Sequence, residues 1–326
     1  MNAVIQAERL EMHYRGCDAL RGVDLRVEPG TVFALLGENG AGKTTLIRIL
    51  TGFQKPSAGR AEVCGLDPIS KPLEVRRRIG YVSDAPALYD WMTVAQIGWF
   101  AASFYPPAFI NHYRESIARY EIPGSRKIKN LSKGQRAKVA LSLSLAHDPE
   151  LLILDEPTSG LDPMVRRDFL ESMIDRAATG RTVFLSSHQI SEVERVADTI
   201  AILHEGRVRI CAPLVELKES VTELTISLED PLVALPSVPA PAEVLFEETH
   251  GRQRRLVVQH GDESLSHSLR ILPGVTNVTE RSPSLEEIFI AATRKTSSPD
   301  GSFEPKQTNS TVIENTPTLV DQGESR

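Results

Sequence analysis

Apolar positions fall into two kinds of run along this chain. Short continuous runs come first: Thr31 to Gly37 (TVFALLG), Leu151 to Asp155 (LLILD) and Thr182 to Ser187 (TVFLSS). Such runs predict strands buried on both faces of a parallel sheet. Residues 3–14 alternate only loosely and predict an edge strand, and 60–65 a further short strand. Lys43 to Thr51 has a helical pattern closed by Gly52. From about 86 to 147 the pattern is mostly helical, broken at Pro106-Pro107 and Pro123-Gly124. IAILHEGRVRI predicts a hairpin turning at Glu205-Gly206.

The texture changes after about residue 220. LEDPLVALPSVPAPAE is proline-rich and reads as a linker or loop. VLFEE, RRLVVQ, SLSHSLRIL, VTNVTE and SLEEIFIAAT then alternate strand and helix patterns, enough for a small α+β module over 223–292. Residues 293–326 are poor in large apolar side chains and are expected to be disordered, because they cannot bury a core. No internal repeat is seen.

Composition narrows the functional classes. With 326 residues, there is room for one large domain and a smaller one. The net charge of −6 argues against general nucleic-acid binding, which needs a basic surface. Cys17, Cys64 and Cys211 are far apart and lack CxxC spacing, so neither zinc nor a disulfide framework is expected. Glu8 and Glu11 interrupt the opening residues where a signal peptide has its apolar core. No run approaches the ~18 apolar residues of a membrane span, so a membrane role is expected to run through a partner.

Three motifs carry the chemistry. GENGAGKTT, Gly37 to Thr45, satisfies GxxxxGK[ST] between a strand and a helix. Its backbone N–H groups can wrap phosphates at a helix N-terminus. Lys43 would reach the β- and γ-phosphates and the Thr44 hydroxyl would ligate Mg²⁺. LLILDEP ends a buried strand in Asp155, a carboxylate for the metal through water, followed by Glu156, a base able to polarise an attacking water. LSKGQ, Leu131 to Gln135, opens the helix pattern Arg136 to His147. It reads either as an ordinary Ser132 N-cap or as a second anion site. A second site needs no second ligand if two chains dimerise head to tail, each covering the γ-phosphate held by the other.

The order GENGAGKTT, LSKGQ, LLILDEP, SGLD and then a histidine after the next strand resembles the ATP-binding subunit of an ABC transporter over roughly residues 1–220. The resemblance implies an α/β P-loop NTPase: a parallel-sheet core, an antiparallel β-subdomain and a helical subdomain near 86–147, within an ATPase domain of 1–222. It implies ATP and Mg²⁺ as cofactors. Tyr14 takes the place of the aromatic that stacks on adenine. Gly37, Glu38, Asn39, Gly40, Ala41, Gly42, Lys43, Thr44 and Thr45 form the Walker A loop. Ser132, Gly134 and Gln135 belong to the signature loop that reaches the partner's ATP. Asp155 is the Walker B acid, Glu156 the catalytic glutamate, Ser159 to Asp162 the D-loop and His188 the switch histidine. The implied partners are a second ATPase subunit, identical or not, and a separate membrane permease. The implied place is cytoplasmic, on the inner face of the cell membrane.

Two residues depart from the family pattern. Lys133 stands where LSGGQ has a glycine, and its charge could assist phosphate binding. Asp84, after the strand IGYVS, stands where the family has a metal-binding glutamine. A carboxylate is still a hard oxygen ligand for Mg²⁺. Leu88, Trp91, Trp99, Phe100, Phe104 and Tyr105 make 86–110 unusually aromatic, as a subdomain core or as a cleft for a permease helix. The ending SLEEIFIAAT resembles ATPases of drug, antibiotic or peptide exporters. The rival reading is an ABC ATPase acting on ribosomes or DNA. Ribosomal types usually fuse two ATPase domains, whereas this chain has one Walker A loop. DNA-repair types insert a long coiled coil, and no sustained heptads lie between Walker A and LSKGQ.

Overall fold

The computed structural model describes residues 3–261 and 263–294. Three strands open the chain: β1 (Ile5–Tyr14), β2 (Cys17–Val27) and β3 (Val32–Leu36). Helix α1 (Lys43–Leu50), β4 (Ala58–Val63), α2 (Pro72–Arg78) and β5 (Ile79–Val82) follow. Three helices come next, α3 (Val94–Ala102), α4 (Phe109–Arg119) and α5 (Lys133–Leu145). Then β6 (Leu151–Asp155), α6 (Pro163–Ala178), β7 (Thr182–Ser187), α7 (Ile190–Val196), β8 (Thr199–His204) and β9 (Arg207–Pro213) return to the sheet.

The six-stranded sheet has the order β5-β6-β7-β3-β8-β9. Only the β8–β9 pair, the expected hairpin, is antiparallel. Every residue of β3, β6 and β7 is buried. Period-two alternation sends Phe33, Leu35, Ile153 and Phe184 to one face, where they pack with Leu46, Ile47 and Leu50 of α1 and with the antiparallel sheet. Ala34, Leu36, Leu154 and Leu185 face the other way, onto Phe169 and Met173 of α6 and Val193 of α7. The continuous apolar runs therefore have a partner on each side. A separate core of Met92, Val94, Ile97, Phe109, Tyr113 and Val139 holds α3, α4 and α5 together.

β1 is not an edge strand. It is the centre of an antiparallel sheet with the order β2-β1-β4. Its alternation is blurred because the register slips between Ala7 and Leu10 and again beyond Met12, with Arg9 at φ 45°. β2 has no counterpart in the sequence reading, although Leu20, Val23, Leu25 and Val27 are its buried face.

The last elements are α8 (Leu214–Ser220), β10 (Val221–Leu228), β11 (Glu243–His250), β12 (Gln253–Gln259), α9 (Glu263–Arg270), β13 (Val275–Arg281) and α10 (Leu285–Thr293). An antiparallel sheet of order β11-β12-β10-β13 carries them. Leu224, Ile226, Leu256 and Val258 pack with Leu265 and Leu269 of α9 in a local core. On the other face, Val257 and Phe246 join Leu285, Ile288 and Phe289 of α10 in the cluster that also holds Val193 and Val196 of α7. Residue 222, the expected domain boundary, falls inside β10. Residues 3–294 belong to one compact unit. α10 runs to Thr293, and the expected disordered tail past residue 294 lies outside the described residues.

Candidate functional site

Four neighbouring strands end side by side, which is where open α/β sheets bind ligands. The loop after β3 is Gly37–Gly42, the loop after β5 holds Asp84, the loop after β6 holds Glu156, and the loop after β7 holds His188. β7 lies between β6 and β3. Acid, histidine and glycine-rich loop are thus brought together by strand order and not by closeness in the chain.

The glycine-rich loop needs its glycines for two reasons. Gly42 has φ 110°, a backbone state side chains rarely adopt. A Cβ there would stand 2.5 Å from the Ala19 carbonyl. Lys43 follows, 6% exposed, with Nζ donating to the Gly37 carbonyl at 2.6 Å and the Glu38 carbonyl at 3.3 Å. Nζ also lies 3.1 Å from Glu156 Oε1.

Glu156 has φ 50°, an uncommon state for a residue with a side chain. Its backbone N–H donates to the Ser186 hydroxyl at 3.1 Å. The Ser186 hydroxyl in turn donates to Asp155 Oδ1 at 2.7 Å, and Asp155 is itself buried. One serine therefore fixes both acids. Glu156 Oε2 lies 2.7 Å from His188 Nδ1, and the His188 N–H approaches it at 3.4 Å. Apart from Lys43, Oε1 has no polar partner. Ser186 was missed in the sequence; its signal is a hydroxyl inside a buried apolar strand.

A cleft of about 420 Å³ takes in Lys43 and Glu156, while Asp155, Ser186 and His188 are not among its lining residues. Glu38, Asn39, Gly40, Gly42, Lys43, Thr44, Thr45 and Glu156 line it, with Asp84 on one side and Tyr14, Cys17 and Ala19 on another. Tyr14, at the end of β1, keeps 41% of its surface exposed. Gly37 and Ala41 are buried beneath the loop. Three carboxylates and one ammonium line the cleft, an unfavourable place for a polyphosphate without a further cation. Among the described residues no cluster of three or more His, Cys, Asp or Glu side chains could hold a metal by itself. A cation there would need ligand phosphate oxygens besides Thr44, Asp84 and Asp155.

Ser132, Gly134 and Gln135 lie outside this cleft. Ser132 caps α5, accepting from Gln135 N–H at 3.2 Å while Gln135 Oε1 accepts from Ser132 N–H, a reciprocal capping box. Gly134 is buried where a Cβ would come within 3.1 Å of Val165, so α5 and α6 touch through it. Lys133 reaches the 159–162 loop of its own chain; a Cβ on Gly160 would stand 2.4 Å from its Nζ. Asp162 ends that loop as the N-cap of α6.

A second cleft, also about 420 Å³, lies between the sheet edge and the helical subdomain. Phe53, Tyr81, Leu88, Tyr105, Phe109 and His147 line it. His147 stacks on Tyr105 at 4.5 Å, and burial pushes its pKa down. Of the residues singled out in 86–110, Leu88 and Tyr105 form this wall, while Trp91, Trp99 and Phe104 are exposed at 65% or more and do not belong to a core.

Sheet, glycine-rich loop and strand-end acids define a P-loop nucleotide-binding ATPase. Residues 20–159 match the ABC transporter family. The chain is 31% identical over 290 residues to the ABC transporter ATP-binding protein YtrB of Bacillus subtilis, covering 88% of this chain and 97% of that one. It is 33% identical over 305 residues to the daunorubicin resistance ATP-binding protein DrrA3 of Streptomyces coeruleorubidus, covering 90% and 96%. A solved ATP-binding subunit of an ABC transporter superposes with a TM-score of 0.62 at 30% identity, over 66% of this chain and 92% of that one. The chain belongs to the ATP-binding proteins of ABC transporters. It is a nucleotide-binding ATPase of the ABC transporter kind, which favours the transport reading over an ATPase acting on ribosomes or DNA. Among the described residues no helix is long and apolar enough to cross a membrane.

Proposed function

We propose that this subunit powers an exporter of a drug, antibiotic, peptide or lipid-like substrate from the inner face of the cell membrane, held there by its permease. The likeness to a daunorubicin resistance protein over nearly the whole chain supports the subclass. The observation that carries the mechanism is the carboxylate of Glu156, with Oε1 3.1 Å from Lys43 and Oε2 2.7 Å from His188. Without nucleotide, Lys43 neutralises the base. Phosphates arriving at the loop draw Lys43 away and free Oε1 to accept a proton from the attacking water. His188 holds the other oxygen and so fixes the direction of the free lone pairs.

Thr44, Asp84 and Asp155 offer hard oxygens and would hold Mg²⁺ together with the phosphates. Bound there, Mg²⁺ would offset the negative charge that Lys43 alone cannot balance. Tyr14 would stack on the base. Ser132, Gly134 and Gln135 would cover the partner subunit's nucleotide. Residues 83–88 have one side on each cleft: Asp84 lines the nucleotide cleft, Pro86 and Leu88 the apolar one. A permease helix in the apolar cleft would therefore meet the same loop that meets the metal.

Isolation of the tagged chain in detergent tests this reading. A multispanning membrane protein should come with it and stimulate its ATPase activity. Recovery on ribosomes instead, or stimulation that needs no membrane protein, would count against the proposal.

A further inference from the structure

Glu192, on the first turn of α7, is a buried carboxylate with no place in the nucleotide cleft. A buried charge is costly unless paired, and the pairing of this one is specific. Its Oε2 accepts the Thr158 hydroxyl at 2.6 Å. Its Oε1 stands 2.9 Å from Arg166 Nη1 on α6. The same nitrogen donates to Gln189 Oε1 at 2.8 Å, and Arg166 Nη2 donates to the Leu161 carbonyl at 3.3 Å.

Two loops meet at the Glu192–Arg166 pair, the 156–162 loop after β6 and the loop after β7. Thr158 is two residues beyond Glu156, Gln189 is next to His188, and Leu161 belongs to the 159–162 loop. An apolar trio of similar volume would hold α6 and α7 together at least as well. What the ion pair adds is fixed geometry between the loop after β6 and the start of α7.

We propose that Glu192 is a positioning residue for hydrolysis: it locks the Glu156 loop to the helix that follows His188, and through Arg166 it passes movement of the 159–162 loop to the His188–Glu156 contact. The proposal rests on reading Glu156 as the base.

The test is a kinetic cycle with Glu192→Ala and Glu192→Gln, each made in the wild type and in His188→Ala. Single-turnover and steady-state ATP hydrolysis are measured well below the melting temperature. Glu192→Ala should lower kcat about tenfold or more, a barrier rise of about 1.4 kcal/mol per tenfold, with KM for ATP within about twofold. Glu192→Gln should lose less, because its amide oxygen still accepts from Thr158. In the His188→Ala background the effect of Glu192→Ala should shrink to about twofold or less, since residues that act through one another are not additive. An equal loss in both backgrounds, a KM that rises with the fall in kcat, or an unchanged kcat overturns the proposal. If Glu192→Ala does not fold, Thr158→Val and Glu192→Gln give the same comparison. Glu156→Gln tests the base separately: a variant that still hydrolyses ATP refutes the base, while loss of the Glu192–His188 coupling refutes only the positioning role.

Discussion

Glu156→Gln should do three things at once, and their signs come from the Lys43 contact. At 3.1 Å two unit charges attract by about 5 kcal/mol at an effective dielectric near 20. Desolvation of both groups offsets much of that. Lys43 also keeps the Gly37 and Glu38 carbonyls in the variant. The net loss in the nucleotide-free protein is therefore about 1–3 kcal/mol. At roughly 2–4 °C per kcal/mol, the melting temperature should fall by about 2–12 °C. ATP binding should move the opposite way. In the wild type the phosphates must take Lys43 from Glu156; in the variant that competitor is gone, as is one negative charge facing the phosphates. A gain of about 1.4 kcal/mol would make binding about tenfold tighter. Hydrolysis should fall by about 10²–10⁴-fold, the usual contribution of a general base. Thermal melts with and without ATP, a nucleotide titration and phosphate release measure the three. Unchanged or weaker ATP binding would show that the ion pair does not hold the base back, and hydrolysis near the wild-type rate would remove Glu156 from the chemistry.

The other expectations are briefer. Gly42→Ala should abolish ATP binding and destabilise the fold, because the new Cβ meets the Ala19 carbonyl at 2.5 Å in a φ 110° backbone; a nucleotide titration on folded variant decides it. Ser132→Ala should cost about 1 kcal/mol through the lost cap, seen in urea unfolding, whereas Ser132→Arg should leave ATP binding by one chain intact and block ATP-dependent dimerisation, with partial recovery when mixed with Lys43→Ala. Asp84→Ala should raise the Mg²⁺ concentration needed for hydrolysis and Asp84→Asn should do so less; an unchanged Mg²⁺ dependence removes the metal role. Arg281, at 2.6 Å, and the Ser284 cap hold the Glu287 carboxyl down to about 2. A depressed carboxyl contributes stability that is present above its unfolded value near 4.5 and lost as pH falls toward 2. The full shift would be about 3 kcal/mol, and solvent screening at half-exposed Arg281 reduces it to about 1–2 kcal/mol. Urea midpoints at pH 6 and pH 3 should differ more for wild type than for Glu287→Gln.

Much of the sheet was legible because its strands are apolar on both faces. Val32–Leu36, Leu151–Asp155 and Thr182–Ser187 are buried end to end and match the runs read from the chain. The helical breaks at Pro106-Pro107 and Pro123-Gly124 also separate real helices. β1 and β2 were harder, since one side of their sheet is solvated and the bulges near Arg9 shift the alternation partway along. The position of Asp84 on the nucleotide cleft followed from the strand before it. The roles of Ser186, Arg166 and Glu192 were missed for a different reason, although Ser186 carries a weak signal as a hydroxyl in a buried strand. Each acts through a partner about 20–35 residues away in the chain, and nothing local distinguishes Glu192 from the exposed acids around it.

The two readings of LSKGQ turn out not to compete. Ser132 and Gln135 satisfy each other through the capping box, which uses up the first-turn N–H that Ser132 accepts and leaves neighbouring N–H groups at the start of α5 unclaimed by it. A well-capped helix start is a rigid one, and rigidity favours a binding surface because less order has to be imposed on contact. The cleft of this chain is lined by none of Ser132, Gly134 and Gln135, so an anion at that helix start would have to be presented from outside. Lys133 bears on the same point. Its ammonium lies beside Gly160, in the loop that leads from Glu156 to α6. A phosphate brought to α5 by a second chain would attract that ammonium away from Gly160. Dimer closure would then be felt first at the 159–162 loop and, by way of Arg166 and Glu192, at His188.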